Sequence, residues 1–121
     1  MARVRSKKMI PEYDIQRVFH QWVSQQDKML GHSVPNGLLS NGEAIAKEKL
    51  IGLTSGVPDY NVDIIGETLR IEFKTSAGKL SKSQIEIICK LVKLKRPVRV
   101  CRSPKEAIKF VRYWQNKLGV A

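Results

Sequence analysis

Apolar residues recur along this chain with two different periods, and the switches between them divide it into elements. Over residues 11–28, Ile15, Val18, Phe19, Trp22 and Val23 return at helical spacing, and Pro11 suits a first turn. The stretch "GHSVPNGLLSNG" is rich in turn formers and predicts a connector, with room for a short strand at 32–34. A second helix is predicted over 42–52, and Gly52 and Gly56 punctuate the way out of it. From 59 to 74 the period drops to two. Strands are predicted at 59–65 and 68–74, joined by Gly66-Glu67 as a two-residue loop with glycine first. Helical spacing returns over 81–95, where Ser81 and Gln84 form a capping box. Val98 and Val100 alternate in a strand at 97–101. The last helix, 104–118, opens on Ser103-Pro104-Lys105-Glu106, a second capping box with proline at the first helical position. Ala107, Ile108, Val111, Trp114 and Leu118 line its inner face.

The order α, α, β, β, α, β, α predicts an α/β fold. The strand–helix–strand link from 68–74 to 97–101 makes those strands parallel with a right-handed crossover. The result is a small mixed sheet, an antiparallel hairpin plus one parallel strand, flanked by helices. Residues 1–9 read as a basic arm, including Arg3, Arg5, Lys7 and Lys8, ahead of a single domain at 10–121.

A loop at 66–67 would set residue 63 across from 70, 61 from 72 and 59 from 74. One face of the hairpin then carries Asp59, Asn61, Asp63, Arg70, Glu72 and Lys74. The other carries Tyr60, Val62, Ile64, Leu69, Ile71 and Phe73. A slip of one residue would mix the two sets. Lys74 lies directly across from Asp59 in this register, and Glu72 is the diagonal neighbour, about 7–8 Å away by backbone. Two carboxylates at that spacing can share a divalent cation, and Mg2+ suits hard oxygen ligands. A lysine beside it can hold or help deprotonate a water whose pKa the cation lowers. Those parts suffice to hydrolyse a phosphodiester. The competing reading is a solvated strand face with cross-strand ion pairs, and for Asp63 and Arg70 that reading is preferred. Glu12 shares a helix face with Ile15 and Phe19. It is either paired, metal-bound or near the edge of that face, or an exposed first-turn acid favoured by the helix dipole.

Charge narrows the partner. Twenty-two Lys and Arg against eleven Asp and Glu leave +11 on 121 residues, with a pI of about 10.0. Such a surplus favours polyanions, DNA or RNA first. The lysines are spread along the chain rather than held on one amphipathic helix, which argues against a membrane surface. No apolar run approaches a membrane span, and no apolar stretch follows the basic N-terminus as a secretory leader requires. Cys89 and Cys101 are isolated and read as reduced core residues. With His20 and His32 they have no zinc-ligand spacing. Gly78-Lys79 lacks the upstream glycine and following hydroxyl of a phosphate loop, so no nucleotide cofactor is expected.

Pro58-Asp59, twelve residues, then Glu72-Phe73-Lys74 matches the P-D-x(n)-(D/E)-x-K arrangement of the restriction-like nuclease superfamily. The surrounding "PEYDIQ", "HSVPNG", "GLTSGVPDYNV" and "IEFKTSAGKLSKSQ" together resemble the VRR-NUC domain from Glu12 to about Ile108. The resemblance implies a restriction-endonuclease-like core and metal ligation by Asp59, Glu72 and the backbone carbonyl of Phe73, with Glu12 reaching the same centre. It assigns Lys74 to the attacking water. Gln84 matches the Ser-x-x-Gln of the family and could serve both the site and the helix cap. His32 and Asn36 match polar positions with a supporting role, as DNA contacts. Lys47, Lys49, Lys79 and Lys82 are further candidates for backbone phosphate.

Stand-alone versions of this size resemble phage and bacterial homodimers that cut four-way (Holliday) junctions. The expectation is therefore a Mg2+-dependent, structure-selective DNA endonuclease, Mn2+ substituting, in the cytoplasm of a bacterial or phage-infected cell. It would act in DNA repair, with shape rather than base sequence setting specificity. A nuclease selective for flaps or single strands, and a basic DNA-binding module without catalysis, are the alternatives.

Overall fold

The computed structural model describes residues 11–35 and 41–120. Among them the chain runs α1 (Glu12–Ser24), β1 (Leu30–Ser33), α2 (Gly42–Leu50), β2 (Tyr60–Ile64), β3 (Glu67–Phe73), α3 (Lys82–Lys93), β4 (Val98–Cys101) and α4 (Pro104–Leu118). The four strands form one sheet in the order β1-β2-β3-β4. β1 with β2 and β2 with β3 are antiparallel, whereas β3 with β4 is parallel across the α3 crossover. This is the mixed α/β architecture expected from the periodicities, with the short connector strand completing one edge. The basic arm at 1–9 and Asn36 lie outside the described residues.

The core sits on one face of the sheet. Tyr60, Val62, Ile64, Leu69, Ile71 and Phe73 are all buried there, against Ile15, Phe19 and Val23 of α1 and Ala107, Phe110 and Val111 of α4. Phe19, Tyr60 and Phe73 meet as an aromatic cluster with ring centroids 5.5–6.0 Å apart, a geometry that adds to the burial of apolar area itself. Val18 and Leu118, expected to face inward, are partly exposed at 41% and 39%. Cys101 is buried, but Cys89 is exposed and not a core residue.

The hairpin register differs from the expected one by two residues. Ile64 pairs with Glu67, Asp63 with Thr68, Val62 with Leu69, Asn61 with Arg70 and Tyr60 with Ile71. The turn is Ile65-Gly66, not Gly66-Glu67. Gly66 takes φ +88 at the second loop position, and Ile65 is not among the residues with positive φ. A turn of that kind needs its glycine second rather than first. Because the offset is even, every side chain keeps its face. Only the opposing partners change.

Gly31 of β1 is a steric requirement. A Cβ there would overlap the Tyr60 hydroxyl and stand 2.8 Å from Tyr60 Cζ and Val23 Cγ1. Gly31→Ala is expected to cost about 1–3 kcal/mol by overpacking. The melting temperature should fall by roughly 5–15 °C, which circular dichroism melts would measure. A melt unchanged within error would contradict this close packing of β1 on Tyr60.

Candidate functional site

Asp59, Glu72, Lys74 and Gln84 come together at the end of β3, where the loop before β2 meets the start of α3. Asp59 is held from two sides. Its carbonyl accepts the Val34 N–H at 2.8 Å, which extends the β1–β2 ladder. Its carboxylate Oδ2 accepts the Phe73 N–H at 2.9 Å. The preceding loop can approach α3 because residue 56 is glycine. A Cβ at Gly56, which has φ +89, would run into the Ser83 backbone and the Gln84 nitrogen. Ser55 Oγ also donates to Ser83 Oγ at 3.3 Å.

Continuing the observed register by one residue sets Asp59 opposite Glu72, with Lys74 now the diagonal neighbour. This reverses the expected arrangement, in which Lys74 faced Asp59. The physical cause is the turn: closing the hairpin at Ile65-Gly66 advances β3 by two residues. The direct pairing brings the two carboxyl groups closer than a diagonal would.

Glu72 is the unusual member. It is 1% exposed and is one of two buried polar or charged residues in the described chain. Oε2 accepts from Gln84 Nε2 at 3.0 Å, while Oε1 is buried with no hydrogen-bond partner among the described residues. Its pKa is raised to about 8, chiefly by burial; the Asp59 charge alongside contributes, the Lys74 ammonium opposes the rise, and Glu12 adds a smaller upward push. A buried acid with a vacant acceptor oxygen beside a second acid is a costly arrangement for an apolar fold. It is the kind of environment that functional carboxyls occupy.

Gln84 does two things. Its backbone N–H donates to Ser81 Oγ at 3.2 Å and its Oε1 accepts the Ser81 N–H at 2.8 Å, the complete capping box. The remaining amide nitrogen reaches Glu72. The cap therefore orients the side chain that touches the acid. Lys74 is half-buried, its backbone N–H held by the Cys101 carbonyl at 3.1 Å. Its ammonium group has no ion pair among the described residues.

Glu12 is exposed at the first turn of α1 and acts on Glu72 only through space. Among the described residues no three His, Cys, Asp or Glu side chains gather closely enough to hold a metal ion. The structure thus brings together two carboxylates, with the third at a distance. Two hard oxygen donors, one with an unsatisfied buried oxygen, still fit a divalent cation that keeps several waters.

Asp63 and Arg70 do not form the expected ion pair. The shifted register sets Thr68 across from Asp63, and the Thr68 hydroxyl donates to Asp63 Oδ1. Arg70 Nη1 is left buried without a hydrogen-bond partner among the described residues. His32 is exposed on β1 opposite Asn61, on the sheet face that carries Glu72. Lys47, Lys49, Lys79 and Lys82 are all exposed, the first two on α2 and the last at the start of α3.

One contributor escaped the sequence reading. Arg102 Nη1 donates to both the Thr75 and Gly78 carbonyls at 2.7 Å, clamping the loop that follows Lys74. Its own N–H donates to Glu106 Oε1 at 2.7 Å. Glu106 therefore does not complete a capping box with Ser103, although Ser103 Oγ still accepts the Glu106 N–H at 3.1 Å. No local pattern marks the Arg102 side chain, because the carbonyls it clamps are more than twenty residues away in sequence.

A solved structure described as a VRR_NUC domain protein superposes on this chain with a TM-score of 0.73 and 24% sequence identity, covering 90% of this chain and 91% of that one. The likeness spans nearly the whole of both chains and defines the fold as that of a VRR_NUC domain protein. No family model and no curated protein matches the sequence. No helix among the described residues is long and apolar enough to cross a membrane.

Proposed function

We propose that this chain is a VRR-NUC nuclease: a Mg2+-dependent, structure-selective DNA endonuclease that works as a homodimer on four-way junctions. The observation that carries the reading is the buried Glu72, with Oε1 unpartnered and Asp59 alongside. A fold has no packing reason to bury an acid in this way, and an incoming cation resolves both the vacant oxygen and the repulsion.

Asp59 and Glu72 would hold the ion, joined by the Phe73 carbonyl, and Glu12 would add charge from α1 rather than a direct bond. A bound divalent cation supplies Lewis-acid charge to the phosphodiester and acidifies a water. Lys74, which has no ion pair among the described residues, orients that water and steadies the anionic charge that develops on the phosphate. Gln84 keeps Glu72 aimed by its hydrogen bond. Lys47, Lys49, Lys79, Lys82, His32 and Asn36 hold the flanking backbone, drawn by the +11 charge. Leu50 and Ile51, 87% and 88% exposed at the end of α2, supply apolar surface suited to pairing with a second copy. Two sites related by a two-fold axis match a symmetric junction.

Labelled four-way junction, flap, single strand and plain duplex should be incubated with Mg2+, Mn2+ or EDTA. The junction is expected to be cut in either metal and untouched in EDTA. Preference for flap or single strand would replace the junction assignment. Retarded but uncut DNA under every condition would replace catalysis with simple binding.

A further inference from the structure

A pocket of about 280 Å3 opens on the polar face of the sheet, between the loop before β2 and the half-buried stripe of α3. Asn61 and Arg70, paired across β2 and β3, contribute polar groups to its lining, and Val57, Ile87 and Leu91 give it apolar walls. Arg70 is the unusual member. It has no ion pair among the described residues, and its Nη1 is buried without a hydrogen-bond partner among them. A guanidinium nitrogen withdrawn from water with its N–H unused is costly. An anionic oxygen relieves that cost, because arginine meets phosphate with charge-assisted hydrogen bonds. Apolar walls strengthen the attraction by lowering the local dielectric.

The pocket continues the candidate site on three elements. Asn61 is the next position after Asp59 on the same sheet face, and Arg70 is the same-face neighbour of Glu72. On α3, Ile87 and Leu91 extend the stripe that begins with Gln84, the residue bonded to Glu72. Asn61 also pairs with His32, so His32, Asn61 and Arg70 make a polar row across β1, β2 and β3. That row runs beside the Asp59–Glu72 row at a two-residue step of about 6.4–6.8 Å, a distance that one sugar of a nucleic-acid strand can bridge. We propose that Arg70 and Asn61 bind the phosphate next to the cleaved one on the same strand, with the intervening sugar against Val57 and Ile87. The proposal rests on the nuclease reading and adds to it an anion subsite that fixes which phosphate reaches Asp59 and Glu72. The net charge of +11 agrees with a polyanion as its source.

The test uses junction and single-stranded oligonucleotides carrying one neutral methylphosphonate at successive positions, bound to the whole chain in EDTA, with the cut mapped separately in Mg2+. Wild type is expected to lose about ten- to a hundredfold in affinity when the phosphate next to the cut is neutral. Arg70→Met should bind unmodified DNA weaker by a similar factor and no longer respond to that position. Its slope of log affinity against log salt should fall by about 0.7–0.9. Arg70→Lys, which keeps the charge, should retain the response. Arg70→Met should melt with wild type or above it, since no partner is lost. A variant that melts well below wild type and loses affinity evenly at every position makes Arg70 structural and overturns the proposal. So does an Arg70→Met protein that matches wild type in affinity and response, or a response to an abasic position in place of a neutral phosphate. Wild type that cuts DNA with Mg2+ yet tolerates a neutral phosphate on both sides of the cut loses this subsite alone. An Arg70-dependent response at one phosphate of DNA that is never cut removes the nuclease reading and leaves the subsite standing.

Discussion

Glu72→Gln is expected to abolish metal-dependent cleavage and, at the same time, to stabilise the metal-free protein at pH 8. The two effects share one origin. Glu72 is 1% exposed and stands against Asp59, so its carboxyl holds a proton up to a pKa of about 8, against an ordinary value of 4.5. The folded state therefore binds a proton that the unfolded chain releases. Stability from this group is fully present below about pH 4.5, falls as pH rises through the interval from about 4.5 to about 8, and levels off above it. Glutamine mimics the protonated carboxyl. It can still accept from Gln84, and its amide can donate to Asp59 where the acid would have been repelled. The gap at pH 8 should be on the order of a few kcal/mol, or about 10 °C in melting temperature. Mg2+ should reverse the order, because it stabilises only the form that binds it. Melts of both proteins from pH 5 to 9, with EDTA and with Mg2+, would reveal both trends. A wild type that outlasts the variant at pH 8 in EDTA would contradict the burial argument.

Lys74→Ala should bind DNA with little loss and cut it about 10²–10⁴-fold more slowly in single-turnover conditions. The backbone at this position is held by the Cys101 carbonyl, and the following loop is clamped by Arg102. The substitution thus removes an ammonium group without releasing the strand. It should also move the pH profile. Among the described residues Lys74 is the one group that holds the Glu72 pKa down, so its loss leaves Glu72 protonated to higher pH. Mg2+ dependence measured across pH should then require more alkaline conditions. Full-speed cleavage by the variant would remove Lys74 from the chemistry. A rate loss with an unmoved pH profile would separate its role toward the water from its role toward Glu72.

The separation of the hairpin into a polar and an apolar face could be read directly, because alternation is a local property and survives any even shift of register. The partners across the hairpin could not. They depend on whether glycine sits first or second in a two-residue turn, and both "Ile65-Gly66" and "Gly66-Glu67" look acceptable as text. That ambiguity exchanged Lys74 for Glu72 as the residue facing Asp59, and removed the Asp63–Arg70 pair. The capping role of Gln84 was equally local, being a matter of three-residue spacing. Its simultaneous contact with Glu72 depends on how α3 docks beside the Asp59 loop, which Gly56 permits.

The sequence by itself determined which residues alternate inward and outward, where helices begin, that the sheet is mixed, and that two acids and a lysine share one surface. Those properties follow from periodicity, caps and connection lengths, all of which act over a few residues. Only the tertiary structure decided that Glu72 is buried with an oxygen unpartnered, that Glu12 stands back from the carboxylate pair, and that Arg102 clamps the loop after Lys74. Desolvation and long-range hydrogen bonding depend on which segments pack together, and distance along the chain carries little information about that.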